Sequence, residues 1–155
     1  MTKEKIDRYK LLLAQTEGLL EMEQEKIASL ANISAALNET LDHSVYTGFY
    51  LYDSSELVLG PFQGRVSCTR IQLGKGVCGQ SAAENTTLIV DDVTKHENYI
   101  SCDSAAMSEI VVPLYKNQQL LGVIDLDNDQ VGAYDQIDQE YLEKLAALMV
   151  EKIHW

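Results

Sequence analysis

Apolar residues recur at helical spacing from about Lys3 to Asn38, and Leu20, Ile27, Leu30, Ile33 and Leu37 fall near one helical face. Gly18 is the one expected break, so residues 1–40 read as a bent helix or two consecutive helices. The period then changes. Val45-Tyr46-Thr47-Gly48-Phe49-Tyr50-Leu51-Tyr52 is aromatic and β-branched, Asp53-Ser54-Ser55 has turn chemistry, and Glu56 to Gly60 resumes an apolar run. Together they predict a strand, a turn and a second strand. Glu109 to Tyr115 and Gln119 to Asp127, joined through Lys116-Asn117-Gln118, predict a hairpin. Asp135, with Asp138 three positions on, has the form of a capping box. Ile137, Tyr141, Leu145 and Leu148 supply the stripe of a last helix over 135–154.

Between Gly60 and Ser108 the pattern loses its period. Five glycines (Gly60, Gly64, Gly74, Gly76, Gly79) and all three cysteines lie there. The whole reads as an α+β domain. A central antiparallel sheet and its loops occupy 44–130, with the terminal helices packed on one face and a loop-rich side on the other. At 155 residues, with only Pro61 and Pro113 and no Ser/Gly-rich linker, a single domain over 1–155 is expected. A chain of this length can bury about 70% of its unfolded surface, so it needs no metal or disulfide to fold.

Charge narrows the partners. Twelve Lys and Arg against 24 Asp and Glu give a net charge of −12, which disfavours nucleic acid and anionic lipid surfaces. The charged N-terminus is no signal peptide, and no apolar run approaches the roughly 20 residues of a membrane span, so a cytoplasmic protein is expected. Cys68, Cys78 and Cys102 are an odd number of thiols, and in a reducing compartment they point to chemistry or packing rather than to structural staples.

Three chemistries can be weighed on these residues. Cysteine spacings of 10 and 24, with His43, His96 and His154 scattered, lack the close ligand pairs of a zinc motif, so no metal is expected. A cysteine nucleophile served by His96 would need a third orienting group that the sequence does not offer. The run Gly74-Lys75-Gly76-Val77-Cys78-Gly79 fits neither a Walker loop nor a dinucleotide fingerprint, and reads as a tight turn allowing close backbone approach to something small. Thiol redox chemistry fits better. Cys102 sits in the polar segment Ile100-Ser101-Cys102-Asp103-Ser104, and either Cys68 or Cys78 could reach it if the fold brings those loops together. In Ile124-Asp125-Leu126-Asp127 the two aspartates share one strand face. If that face closes over a pocket, crowded carboxylates raise one another's pKa and one can act as an acid.

Several segments carry a resemblance: Gly48-Phe49-Tyr50-Leu51, Leu59-Gly60-Pro61-Phe62-Gln63-Gly64, Cys68-Thr69-Arg70-Ile71, Gly74 to Gly79, Cys102-Asp103, Ser108 to Pro113, and Leu126-Asp127. They resemble the free methionine-R-sulfoxide reductases, a family with the GAF fold, from about Val45 to the last helix and with all three cysteines in order. The resemblance implies a single GAF domain that reduces free L-methionine-(R)-sulfoxide. Cys102 would be the nucleophile that becomes a sulfenic acid, Cys68 the resolving thiol and Cys78 auxiliary. It further implies that thioredoxin, kept reduced by NADPH through thioredoxin reductase, reopens a Cys68–Cys102 disulfide, with no bound cofactor. Glu109, Asp125 and Asp127 match the residues that hold the substrate and protonate its oxygen. Tyr46 stands where the family commonly has tryptophan, in Trp-x-Gly-Phe-Tyr, at the substrate-binding wall. The alternative is a non-catalytic GAF module that binds a small molecule and regulates a partner. Ordinary sensor domains lack this cysteine set, and 155 residues leave no room for an output domain. The helical ends offer a surface for a homodimer.

Overall fold

The computed structural model describes residues 2–155. Helix α1 (Thr2–Met22) and helix α2 (Lys26–Thr40) form the N-terminal hairpin. The break falls at Glu23-Gln24-Glu25, not at the expected Gly18, which lies within α1 with open space around its Cα. Carboxylates make this break without help from glycine or proline. The Glu23 side chain accepts from the N–H of Gln24 and Glu25, and Glu25 caps α2 by accepting from Ala28 N–H.

Strand β1 (Ser44–Asp53) turns into β2 (Glu56–Gly64), which runs past its expected end at Gly60. The irregular middle contains β3 (Arg70–Gln72), helix α3 (Gly76–Glu84) and β4 (Leu88–Val90), where loop alone was expected. Three-residue strands and a helix opened by glycines carry too little periodicity to show in sequence. Then β5 (Ser108–Lys116) and β6 (Gln119–Asn128) form the expected hairpin. Its two connecting residues, Asn117 and Gln118, both have positive φ (51° and 65°), the two-residue turn that matches strand twist. Among the described residues, the six strands make one antiparallel sheet in the order β3-β2-β1-β6-β5-β4.

Helix α4 (Gln136–Lys152) opens with the expected capping box of Asp135 and Asp138. Asp138, fully buried, also accepts from Tyr9 Oη and Lys5 Nζ and so ties α4 to α1. No helix among the described residues is long and apolar enough to cross a membrane.

The two-residue period of the strands sorts side chains between two cores. Phe49, Ile110, Val112, Leu114, Ile124 and Leu126 pack under α1, α2 and α4. Tyr46, Tyr50, Val111 and Val123 face the other way, with Val77, Cys78 and Ala82 of α3 against them. Glu109, Asp125 and Asp127 share the parity of this second group. A register slip of one residue would drive all three carboxyl groups into the helix-side core, so that core fixes where they point.

Candidate active site

The glycine run determines where α3 lies. Gly74 and Gly76 adopt positive φ (83° and 64°) in the turn that leads into the helix. A Cβ on Gly79 would stand 2.3 Å from Gln72 O, so only glycine lets α3 lie this close to the end of β3. That approach presses Cys78 towards the sheet. Its Sγ donates to Glu109 Oε2 at 3.8 Å. Cys78 Sγ and one oxygen from each of Glu109 and Asp125 lie within 4.8 Å of one another.

Register supplies the rest. Glu109 stands opposite Asp127 across the β5–β6 ladder, and Asp125 stands opposite Val111. Glu109 is 6% exposed and Asp125 4%, while Asp127 is half-buried. Asp125 Oδ1 is buried with no hydrogen-bond partner among the described residues. The expected acidic strand face is therefore enclosed rather than solvated. Dehydration pushes all three carboxyl groups above the usual carboxylate range. Neighbouring negative charge adds to this for Glu109 (Asp125, then Asp127) and for Asp127 (Asp125). Burial, followed by Asp125 and Glu109, pushes the Cys78 thiol well up, so it stays protonated and is no free thiolate.

The loops between β2 and β3 and before β5 close over this cluster, and Cys68 and Cys102 join them in a disulfide with Cα atoms 5.2 Å apart. Spacing left both Cys68 and Cys78 open as partners of Cys102; the fold brings Cys68 to it and leaves Cys78 as the buried free thiol. Cys102, Cys78, Glu109, Asp125 and Asp127 all line one cavity of about 380 Å³ of empty space, its mouth included. Gly76 and Val77, at the N-terminus of α3, contribute to its wall.

Tyr46 is not part of that lining. It is buried one ring behind, stacked between Tyr50 (5.7 Å between centroids) and Phe62 (5.0 Å). Tyr50 is the ring at the wall, and sequence reading missed it although it shares the strand parity of Tyr46. Its hydroxyl donates to Cys68 O at 2.9 Å and lies 3.0 Å from Ser67 Oγ, fixing the loop that carries Cys68. Tyr99, Ser67 and Asp103 also line the cavity. Asp103, next to Cys102, faces Arg65 Nε at 3.1 Å. His96, weighed as a partner for Cys102, instead bonds Gln80 Oε1 through Nε2 at 3.1 Å and stands outside the lining.

Buried carboxyl groups can take up a cationic group or give a proton, and a disulfide beside them can exchange two electrons.

The sequence model of the GAF domain family matches residues 29–154. The chain is 48% identical over 146 residues to GAF domain-containing protein A of Dictyostelium discoideum, covering 94% of this chain and 92% of that protein. It is 40% identical over 149 residues to the free methionine-R-sulfoxide reductase of Escherichia coli strain K12, covering 96% of this chain and 90% of the relative. The X-ray structure of free methionine-R-sulfoxide reductase from Neisseria meningitidis in complex with its substrate superposes with a TM-score of 0.90. It is 42% identical, with 93% of this chain and 87% of that one covered. On fold and sequence together, the chain belongs to the GAF-domain family and, within it, to the free methionine-R-sulfoxide reductases.

Proposed function

We propose that this protein reduces free L-methionine-(R)-sulfoxide to L-methionine, with Cys102 as nucleophile and Cys68 as resolving thiol. The observation that carries the reading is that Cys102 lines the carboxyl-walled cavity and is also within bonding reach of Cys68. The similarity to named reductases supports it.

In the reduced protein the Cys102 thiolate attacks the sulfoxide sulfur while a neutral carboxyl group of the Glu109, Asp125 and Asp127 cluster protonates the sulfoxide oxygen, which is a poor leaving group otherwise. Oxygen passes to Cys102 as sulfenic acid, and methionine leaves with two more electrons than its sulfoxide had. Cys68 then attacks the sulfenic sulfur, expelling water and forming the disulfide. Thioredoxin reduces that disulfide by thiol exchange, and NADPH restores thioredoxin through its reductase. The balance needs no bound cofactor. A remaining carboxylate pairs with the substrate ammonium, and the unpaired N–H groups at the start of α3 receive its carboxylate. Both ends of a free amino acid are thereby read, which an internal methionine of a protein cannot offer. Tyr50 and Tyr99, which line the cavity, pack on the S-methyl group in this reading, with Tyr46 stacked behind Tyr50.

A dithiol recycled in this way belongs in the reducing cytoplasm. Two copies would meet at the helical ends, where Leu11, Met22 and Ile27 are exposed. The test is NADPH consumption coupled through thioredoxin, with the R and S epimers supplied separately. Turnover is expected on the free R epimer alone and not in Cys102→Ser; turnover surviving that substitution would overturn the mechanism.

A further inference from the structure

We propose that Cys78, Glu109 and Asp125 bind a thiophilic divalent cation of the zinc class, and that this cation excludes the amino-acid substrate by occupying the carboxylates that would hold its ammonium. The second half rests on the function proposed above; the first does not.

Three donors of the right kind converge from three rigid elements: a sulfur from α3, a carboxylate from β5 and one from β6. Zinc takes sulfur at about 2.3 Å and carboxylate oxygen at about 2.0–2.2 Å, which in a tetrahedron separates ligand atoms by about 3.3–3.8 Å. The Cys78–Glu109 separation of 3.8 Å already meets this, and the widest spacing in the trio, at most 4.8 Å, closes with about 1 Å of side-chain adjustment.

An independent feature shows that the site lacks a positive group. Asp125 Oδ1 is buried without a partner, and no Lys, Arg or His lines the cavity among the described residues. A buried carboxylate oxygen left so costs stability unless a cation or proton meets it.

Ligand chemistry selects the ion. Calcium wants six to eight oxygens, and magnesium keeps an octahedron rich in water; neither suits one sulfur and two carboxylates in an enclosed cavity. Three protein ligands leave a fourth position open towards the cavity. On binding, the metal displaces the Cys78 thiol proton to solvent. The donors are 31 and 16 residues apart in sequence, so a search for close ligand pairs passes over them.

The test uses Cys68→Ser/Cys102→Ser, in which Cys78 is the only thiol, so a sulfur signal has one source. Titrated metal-free with Co²⁺, it is expected to bind one ion per chain with a sulfur-to-cobalt charge-transfer absorption that Zn²⁺ abolishes. Adding Cys78→Ser should remove that absorption, and Asp125→Asn or Glu109→Gln should weaken binding about tenfold or more. Absence of the absorption, or indifference to both carboxylate substitutions, overturns the site. Methionine sulfoxide binding to the same metal-free variant is read separately by calorimetry, followed by competition against Zn²⁺. Binding without competition overturns the shared ligands. Failure to bind at all overturns the proposed substrate, while the metal site stands or falls on the cobalt signal.

Discussion

Glu109 and Asp127 stand directly opposite one another on β5 and β6, two carboxyl groups meeting across an antiparallel ladder. Like charges in that position are destabilising, and burial compounds it. Both groups are held above the usual carboxylate range, chiefly by dehydration. Between the ordinary carboxyl pKa and the raised one, the folded protein keeps protons that the unfolded chain releases, so stability falls as pH rises through that window. Glu109→Gln removes one such group. The ligand-free variant is expected to melt about 2–6 °C higher at pH 7 than the parent, with a flatter dependence on pH above about 4.5. Thermal unfolding across pH measures both, and a lower melting temperature at pH 7 would show the carboxylate to be a net stabiliser.

The assignment of Cys68 as resolving thiol separates two stages of turnover. Cys68→Ser leaves Cys102 free to attack, so a stoichiometric burst of methionine should survive. Steady-state recycling by thioredoxin should drop about a thousandfold. Rapid-quench measurement of methionine against enzyme reads the burst. Undiminished recycling would move the resolving role to Cys78.

Tyr50 reaches the same loop by its hydroxyl, which donates to Cys68 O at 2.9 Å. Burial holds that phenol well above its ordinary pKa, so it remains a donor. Tyr50→Phe keeps the ring at the cavity wall and removes the bond. A stability loss of about 1 kcal/mol is expected, together with slower disulfide closure after the burst while the burst itself is unchanged. A slower burst with normal closure would instead place the hydroxyl in the attack step.

The disulfide closes a loop with a sequence separation of 34. On chain entropy, a loop of that length stabilises the oxidised protein by about 4 kcal/mol, or roughly 10 °C in melting temperature. Melting with and without a phosphine reductant tests this, with Cys78→Ala as the reference for any effect of the third thiol. A difference under about 2 °C would mean the loops are held as firmly without the bond.

Much of this arrangement was legible in the sequence, and the limits have physical causes. The parity of Ile124-Asp125-Leu126-Asp127 put both aspartates on one face, and the strand carries them there. Whether that face is dry depends on α3 and the loop before β5, and those come from the stretch without a period. Tyr46 and Tyr50 share a face too. Which ring meets the cavity is set by the loop that Tyr50 anchors, and strand periodicity says nothing of it. The helix break at Glu23 to Glu25 escaped because acidic side chains bonding backbone N–H groups can end one helix and start another with no glycine involved. The pairing of Cys68 rather than Cys78 with Cys102 followed from the family resemblance, since spacing alone allowed either.

The same substitution at two glycines should have opposite signs. Gly18 is exposed in the C-terminal part of α1 with nothing within 4 Å of an added Cβ, so Gly18→Ala is expected to stabilise by about 0.5–1 kcal/mol through helix propensity alone. At Gly79 the added Cβ would meet Gln72 O at 2.3 Å, a backbone atom that cannot rotate away. Either α3 or the end of β3 must shift, and Gly79→Ala is expected to cost about 1–3 kcal/mol. The shift also draws Cys78 away from Glu109 and Asp125, so substrate affinity should fall with stability. Urea unfolding of both variants, with calorimetry of methionine sulfoxide on Gly79→Ala, reads the two effects together. If Gly79→Ala lost stability but bound substrate as tightly as the parent, α3 would serve the fold without positioning the site.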